Sequence, residues 1–214
     1  MKLSAPAPDH ALALFALALL GCASNEKAPA PRAAAPESAV VTPPALPFEA
    51  AARTEQLEPY SCGTVERLHA WNGIFAGSQP NAQDLRHAGE NGVKTVINLR
   101  PKGEDPGFDE AALAGELGLE YHNIPFATPA ELTDEAFEQA RALLRDESKR
   151  PVFLHCHSGN RVGAIWVAFR VIDGGLPWDA ALDEAKEVGL KSPVLEQRAR
   201  EYVERVQAGA AGSD

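Results

Sequence analysis

Cysteine and positive charge are both scarce in this chain of 214 residues. It contains three cysteines, too few for the disulfide framework that holds small secreted domains together. Its 20 Lys and Arg stand against 30 Asp and Glu, a formal net charge of −10. Such a surface repels nucleic acid and anionic headgroups, so no nucleic-acid partner is expected. A phosphorylated substrate would have to be attracted by a local cluster of positive groups.

The apolar run near the start is too short to span a bilayer, which takes about 20 residues. Residues 11–20 form an apolar segment of ten after Lys2, which is typical of a secretory signal. Leu19-Leu20-Gly21-Cys22 then resembles the lipobox of bacterial lipoproteins. This resemblance implies acylation of Cys22 and anchoring in the cell envelope, on the periplasmic face of the outer membrane. An ordinary secretory peptide with a chance cysteine is the alternative.

Four regions are predicted along the chain. Residues 1–21 are the signal peptide, and residues 22–57, rich in Ala and Pro without any apolar period, are a semi-extended tether. Residues 58–208 contain the alternating apolar and turn segments of one folded domain. Residues 209–214 are predicted to be a disordered tail.

Strands and helices alternate through the folded part, which predicts an α/β fold with a central, mostly parallel sheet flanked by helices. The predicted strands are 65–70, 74–76, 93–99, 119–124 and 151–154. The predicted helices are 82–90, 108–117, 133–146, 164–170, 177–188 and 193–207. Ligands of such sheets bind beyond the carboxyl ends of the strands. Arg100 ends one strand at that edge, where it could guide a substrate or be a solvated loop arginine.

The segment from His155 to Gly163 joins a buried strand to a buried helix and carries the strongest functional signal. Unpaired N–H groups and the positive end of a helix dipole meet at such a turn, which makes it an anion cradle. The same field favours the thiolate of Cys156, the nucleophilic form of cysteine. Arg161 adds a planar fork suited to two oxygens of a phosphate.

Three other interpretations of this loop compete with a nucleophile. Cys156 could be a small buried hydrophobic residue, as isolated cysteines often are. His155, Cys156 and His157 could ligate a metal, but consecutive residues leaving a strand point to different sides, so no metal is expected. The loop could also bind an anion without any chemistry.

Four stretches in this order resemble the tyrosine and dual-specificity phosphatase superfamily, and more narrowly its bacterial beta-lactamase-hydrolase-like relatives. They are GSQP (77–80), GVKTVINLR (92–100), YHNIPF (121–126) and HCHSGNRVG (155–163). The resemblance implies a Cys156 nucleophile, a phosphocysteine intermediate, Arg161 holding the transferred phosphoryl group, and no cofactor. It also implies that the rest of the loop binds the substrate: His157, Ser158, Gly159, Asn160, Val162 and Gly163.

The chain departs from the superfamily pattern at three positions. Arg161 follows the cysteine by five residues instead of six, as in the sulfur-transferring rhodaneses. Val162 replaces the usual Ser or Thr. The loop expected to hold the general-acid aspartate reads ATPAE (127–131), so Glu131 is the possible substitute, while Asp134 is more simply a helix N-terminal charge.

These departures set the functional expectation. Loss of a general acid typically forfeits 10² to 10⁴ in rate, so a weak phosphatase restricted to good leaving groups such as aryl phosphates is expected. A rhodanese-like sulfurtransferase and an inactive, membrane-tethered phosphoanion-binding module are the alternatives. Cys62 either forms a disulfide with Cys156 in an oxidising compartment or is buried as a free thiol.

Overall fold

A computed structural model describes residues 54–211. The predicted signal peptide, Cys22 and residues 22–53 of the predicted tether lie outside the described residues. The strands are β1 Glu58–Pro59, β2 His69–Trp71, β3 Ile74–Gly77, β4 Thr95–Asn98, β5 Glu120–Asn123 and β6 Val152–His155. The helices are α1 Ala82–Glu90, α2 Glu110–Glu116, α3 Asp134–Arg145, α4 Asn160–Ile172, α5 Trp178–Val188 and α6 Pro193–Ala211, with a 3₁₀ turn at Glu147–Lys149.

The six strands form one mixed sheet in the order β1-β2-β3-β6-β4-β5. Strands β3, β6, β4 and β5 pair in parallel, whereas β1 and β2 add an antiparallel edge. The predicted α/β fold with a mostly parallel sheet is therefore confirmed. The central strand β6 is buried at every position, because helices cover both faces of the sheet.

Two hydrophobic clusters lie on the two faces of the sheet. The larger one packs α3, α4, α5 and α6 against one face, and it includes Cys156. The smaller one packs α1 and α2 against the other face, and it includes Cys62. Helix α4 is buried over most of its length, which matches its nearly continuous apolar sequence.

Local sequence signals account for several turns and helix starts. The predicted Asn72-Gly73 turn joins β2 to β3 with positive φ at both residues (42° and 77°), as a two-residue hairpin turn requires. Asn81 caps α1 in a reciprocal capping box with Asp84, at the predicted start of this helix. Thr133 likewise caps α3 by accepting the N–H of Ala136.

The described structure has ordered contacts on both sides of the predicted limits at residues 58 and 208. Thr54 and Glu55 already bond to the β2 hairpin: the Thr54 hydroxyl donates to the Ala70 carbonyl, and the Trp71 indole donates to the Glu55 carbonyl. Residues 54–57 therefore belong to the folded domain and not to the tether. Residues 209–211 continue α6 to Ala211 instead of forming a disordered tail.

The proposed Cys62–Cys156 disulfide does not form. Both cysteines are buried free thiols, and they belong to different core clusters. Burial and the nearby Asp84 raise the pKa of Cys62 to about 11, which keeps it protonated. The alternative, a buried and inert Cys62, is the one that the structure supports.

Within residues 54–211, no helix combines the length and the apolar character needed to cross a bilayer. The same residues contain no group of three or more His, Cys, Asp or Glu placed to hold a metal ion.

Candidate active site

The four parallel strands end at one edge of the sheet, and this edge collects the sequence motifs. His155, the last residue of β6, pairs with Gly77 of β3 on one side and with Asn98 of β4 on the other. Because these strands run in the same direction, the residues that follow them meet at this edge. Gln79, Arg100 and Cys156 therefore lie close together although they are far apart in sequence.

Cys156 lies at the base of the loop between β6 and α4. Its side chain is only 1% exposed, but the sulfur is not enclosed by hydrocarbon alone. The backbone N–H of Gly159 donates to its Sγ at 3.2 Å. The sulfur therefore accepts an amide hydrogen bond beside the N-terminus of α4.

Gly159 gives the loop its tight curvature. Its φ of +86° lies in the left-handed region that disfavours side chains, and an added Cβ would approach the Val188 carbonyl to 2.1 Å. Glycine is therefore required at this position for two independent reasons. The result is a short turn that directs an amide at the sulfur and then starts α4 at Asn160.

Arg161 extends from the first turn of α4 toward the ends of β4 and β5. Its Nη1 donates to the Phe126 carbonyl at 3.2 Å and to the Leu99 carbonyl at 3.5 Å. Its Nη2 pairs with Glu104 at 2.6 Å. The guanidinium is thus held by the segments that follow two neighbouring strands, β4 and β5.

Glu104 bridges Arg161 and Arg100. The carboxylate contacts the Arg100 Nε at 3.2 Å, while the Arg100 Nη1 donates to the Gln79 side chain at 2.6 Å. Burial acts to raise the pKa of Glu104, but the two guanidinium groups outweigh it and hold the pKa below its usual value. Arg100, which was predicted to guide a substrate, is only 4% exposed and is committed to this network.

A buried pair supports the loop from beneath. His155 Nε2 lies 2.5 Å from Glu110 Oε1, and the two side chains are 0% and 3% exposed. The contact is close but poorly aligned for a hydrogen bond. The other oxygen, Glu110 Oε2, accepts from the side-chain amides of Gln79 and Asn98, at 3.2 and 3.1 Å.

The pKa of Glu110 lies below its usual value despite this burial. Burial alone would raise it, but His155, the Gln79 amide and the Arg100 guanidinium stabilise the carboxylate more. Glu110 is therefore an anion in the folded protein. Sequence reasoning did not identify this residue, because it lies at the start of helix α2, outside every motif.

A polar cavity of about 440 Å³ opens beside the Cys156 loop. His157 and Ser158 of this loop line it directly. The opposite walls come from four other segments and consist of Thr64, Glu66, Ser78, Gln79, Arg100, Asp105 and Pro106.

Three of the predicted substrate-binding residues have structural contacts instead of lining this cavity. The Asn160 side chain accepts the N–H groups of Lys191 and Ser192, and so it fixes the connection between α5 and α6. Val162 is fully buried in the larger core cluster. An added Cβ at Gly163 would come within 2.6 Å of the Leu190 side chain, so this glycine permits close packing behind the loop.

The carboxylates predicted for the general-acid loop are occupied elsewhere. Glu131 accepts the N–H of Ala127 at 2.7 Å and thereby closes its own turn. Asp134 pairs with Arg198 and Arg205 at the start of α3, as a helix N-terminal charge. Asp105 is the aspartate on the cavity wall, and sequence reasoning missed it because it lies in the loop after β4. The signal available in the sequence was the acidic pair Glu104 and Asp105, which follows the GVKTVINLR stretch (92–100) within a few residues.

Comparison with known proteins places this arrangement in a family. The model described as "DSP-PTPase phosphatase fused to NAD+ Kinase" matches residues 55–201, more than half of the chain. The chain belongs to this phosphatase family. The predicted resemblance to tyrosine and dual-specificity phosphatases is thereby confirmed.

Two curated relatives have names consistent with this family. A beta-lactamase hydrolase-like protein of Agrobacterium fabrum is 36% identical over 107 residues, which are 47% of this chain and 24% of that protein. The dual specificity protein phosphatase TpbA of Pseudomonas aeruginosa is 29% identical over 119 residues, 54% of this chain and 51% of that protein. The matches thus span about a quarter and about half of these relatives.

A crystal structure of P. aeruginosa TpbA shares the fold. It superposes with a TM-score of 0.55 at 22% identity, covering 72% of this chain and 91% of that one. A second structure of that protein, in complex with pTyr, superposes with a TM-score of 0.51 at 24% identity, covering 66% of this chain and 87% of that one.

Proposed function

We propose that the domain is a cysteine-dependent phosphatase that hydrolyses phosphate monoesters. The observation that carries this proposal is the Gly159 N–H directed at the Cys156 sulfur at the mouth of α4, the helix whose first turn carries Arg161. These groups combine a nucleophile with fixed positive charge where a phosphoryl group would bind. Family membership and the pTyr complex of the P. aeruginosa relative support the same reaction class.

The proposed reaction proceeds in two displacements. The Cys156 thiolate attacks phosphorus, the ester P–O bond breaks, and phosphocysteine forms while the leaving oxygen takes a proton. Water then attacks phosphorus, the S–P bond breaks, and inorganic phosphate and the thiolate are released. Arg161 would release part of its contact with the carbonyls of Leu99 and Phe126 to bind two phosphoryl oxygens. The buried His155–Glu110 pair would keep the loop in position.

Hydrolysis of p-nitrophenyl phosphate tests the proposal. We expect measurable turnover that Cys156→Ser abolishes and that Arg161→Lys lowers by roughly 10²-fold, because a lysine cannot bind two oxygens as a planar fork. Cys62→Ser is the matched control, since that thiol lies in the other core cluster and its loss should leave turnover intact.

The same preparation separates the two alternatives. Thiocyanate formation from thiosulfate and cyanide, without phosphate release, would establish a sulfurtransferase, whose shorter Cys-to-Arg spacing this loop shares. Thermal stabilisation by inorganic phosphate without turnover would establish a binding module. Either result would contradict the phosphatase proposal.

We further propose that Cys22 is lipidated and that the domain acts while attached to the bacterial cell envelope, at the periplasmic face of the outer membrane. The support is the Leu19-Leu20-Gly21-Cys22 sequence after an apolar segment. Metabolic labelling with a fatty acid, followed by membrane fractionation, tests this. Cys22→Ser should abolish labelling and release the protein from the membrane fraction.

A further inference from the structure

The wall of the cavity beside the Cys156 loop is polar. Of the nine residues that line it, none is Phe, Tyr or Trp, and its rings are the polar imidazole of His157 and the pyrrolidine of Pro106. An aryl group binds best where apolar or aromatic side chains cover its faces. This wall instead presents hydroxyl, amide and carboxylate groups, which would lose their hydration against an aromatic ring.

We propose that this site acts on small hydroxylated aliphatic phosphate monoesters, that is polyol phosphates, and that Asp105 protonates the leaving alkoxide. The proposal rests on the cysteine phosphatase reaction proposed above and assigns to it a substrate class and a general acid.

A general acid is needed because an alkoxide is a much poorer leaving group than a phenolate. Four carboxylates lie in the two loops that could supply it, and one of them, Asp109, caps α2 by accepting the N–H of Ala112. Glu131 is bound to the N–H of Ala127, and Glu104 is an anion held by two guanidinium groups. Asp105 is exposed and lines the cavity together with His157 and Ser158 of the Cys156 loop.

The loop after β4 positions Asp105. Its Oδ1 accepts the N–H of Gly107 at 2.7 Å, which fixes the carboxyl group. The preceding residue, Glu104, is anchored to Arg100 and Arg161. The acid is therefore adjacent to a residue that is tied to the proposed phosphate-binding arginine. Asp105 Oδ2 is the oxygen that would carry the transferred proton.

The proton balance of the reaction is complete with these groups. As the Cys156 sulfur bonds to phosphorus, the ester oxygen leaves with the bonding electron pair and takes the proton of the Asp105 carboxyl, giving the free alcohol. Asp105 is then a carboxylate and accepts a proton from the water that attacks the phosphocysteine. Inorganic phosphate leaves, the sulfur recovers its electron pair as thiolate, and Asp105 is protonated again.

Recognition of hydroxyl groups is assigned to the outer wall. Glu66 is held at this wall because its backbone N–H donates to the Ser78 hydroxyl oxygen at 2.8 Å. Its carboxylate is a strong acceptor for a substrate hydroxyl, and hydrogen bonds to charged groups are the stronger ones.

Three probes of similar size separate these effects: glycerol 1-phosphate, propyl phosphate and p-nitrophenyl phosphate. The first two differ only by two hydroxyl groups, so their ratio of kcat/KM measures hydroxyl recognition. We expect glycerol 1-phosphate to be preferred over propyl phosphate by roughly 3- to 10-fold, which corresponds to about one hydrogen bond. Glu66→Ala should bring this ratio close to one by lowering kcat/KM for glycerol 1-phosphate. The value for propyl phosphate should stay the same.

Asp105→Asn tests the general acid. It should lower kcat/KM for glycerol 1-phosphate by roughly 10² to 10⁴-fold, but lower that for p-nitrophenyl phosphate by less than about 10-fold, because nitrophenolate leaves without a proton. Asp109→Asn is the matched control: this aspartate caps α2 in the same connection, asparagine caps equally well, and it does not line this cavity. Asp105 is exposed, so its variant should fold.

Several outcomes would overturn the inference. One is an equal loss of kcat/KM for glycerol 1-phosphate and p-nitrophenyl phosphate in Asp105→Asn. Another is a loss confined to glycerol 1-phosphate in Glu131→Gln instead. A third is a higher kcat/KM for propyl phosphate than for glycerol 1-phosphate. Turnover of p-nitrophenyl phosphate without any polyol turnover would refute this inference alone. Absence of all phosphatase turnover would refute the proposed function as well.

Discussion

At the scale of single residues, the polar groups at the site are paired with one another before any substrate binds. Gln79 and Asn98 belong to motifs that the sequence presents separately, and both donate to Glu110. Arg100 and Arg161 share Glu104. These amide and guanidinium groups thereby avoid the cost of unpaired buried donors, which is typically about 1–3 kcal/mol each.

Gly159 offers the sharpest residue-scale prediction. Gly159→Ala should destabilise the fold by more than about 3 kcal/mol, because a strained φ costs roughly 1–2 kcal/mol and the new methyl also overlaps the Val188 carbonyl. Gly175→Ala is the control: its φ is +67°, but the space around it is open, so it should cost only about 1–2 kcal/mol. Urea unfolding of the variants measures the difference, and equal costs would contradict this account.

At the scale of secondary structure elements, helix starts determine where functional loops can turn. Helices α1 and α3 begin at side-chain caps, whereas α4 begins at Gly159 without any side-chain cap. The first turn of α4 therefore leaves its amides available for the Cys156 sulfur and for an anion. The buried apolar body of α4 provides the stability that the missing cap does not.

The cap of α1 gives an element-scale prediction. Asn81→Ala should lower the free energy of unfolding by about 1–2 kcal/mol, because the Asp84 N–H loses its acceptor and Thr64 loses the contact with the Asn81 amide. Asn81→Ser keeps an acceptor for the helix and should cost less. Thermal unfolding measures both variants, and a larger cost for serine would show that this cap contributes little.

At the scale of the whole molecule, carboxylates paired in the folded state link stability to pH. The pKa values of Glu104, Glu110 and Asp134 are all lowered. Burial acts to raise the first two, but guanidinium partners outweigh it at Glu104, and His155 with its neighbours outweighs it at Glu110. At Asp134 the hydrogen bond from Arg205 is the largest cause. As the pH falls, the unfolded chain binds protons on these groups before the folded chain does, which favours unfolding.

We therefore expect the free energy of unfolding to be steady near neutral pH and to fall below about pH 4.5, where unfolded carboxyl groups begin to protonate. Glu110→Gln should cost about 3–5 kcal/mol at pH 7, since it removes one partner of a buried pair, and should make the acid decline shallower. Glu147→Gln, at an exposed carboxylate, should change neither. Urea unfolding midpoints from pH 3.5 to 7 measure the pH dependence of stability. If stability declined with acid as steeply in Glu110→Gln as in the original protein, this account would be contradicted.

The sequence by itself determined the parallel sheet, the turn at Asn72-Gly73, the cap at Asn81 and the position of Cys156 between a strand and a helix. These features depend on local preferences and on periodicity, which are written along the chain. Tertiary structure alone decided that Glu110 pairs with His155 and that the Asn160 side chain turns from the Cys156 loop to accept the N–H groups of Lys191 and Ser192. Those contacts join residues that are distant in sequence, and only the packing of the helices and loops around the sheet brings them within bonding distance.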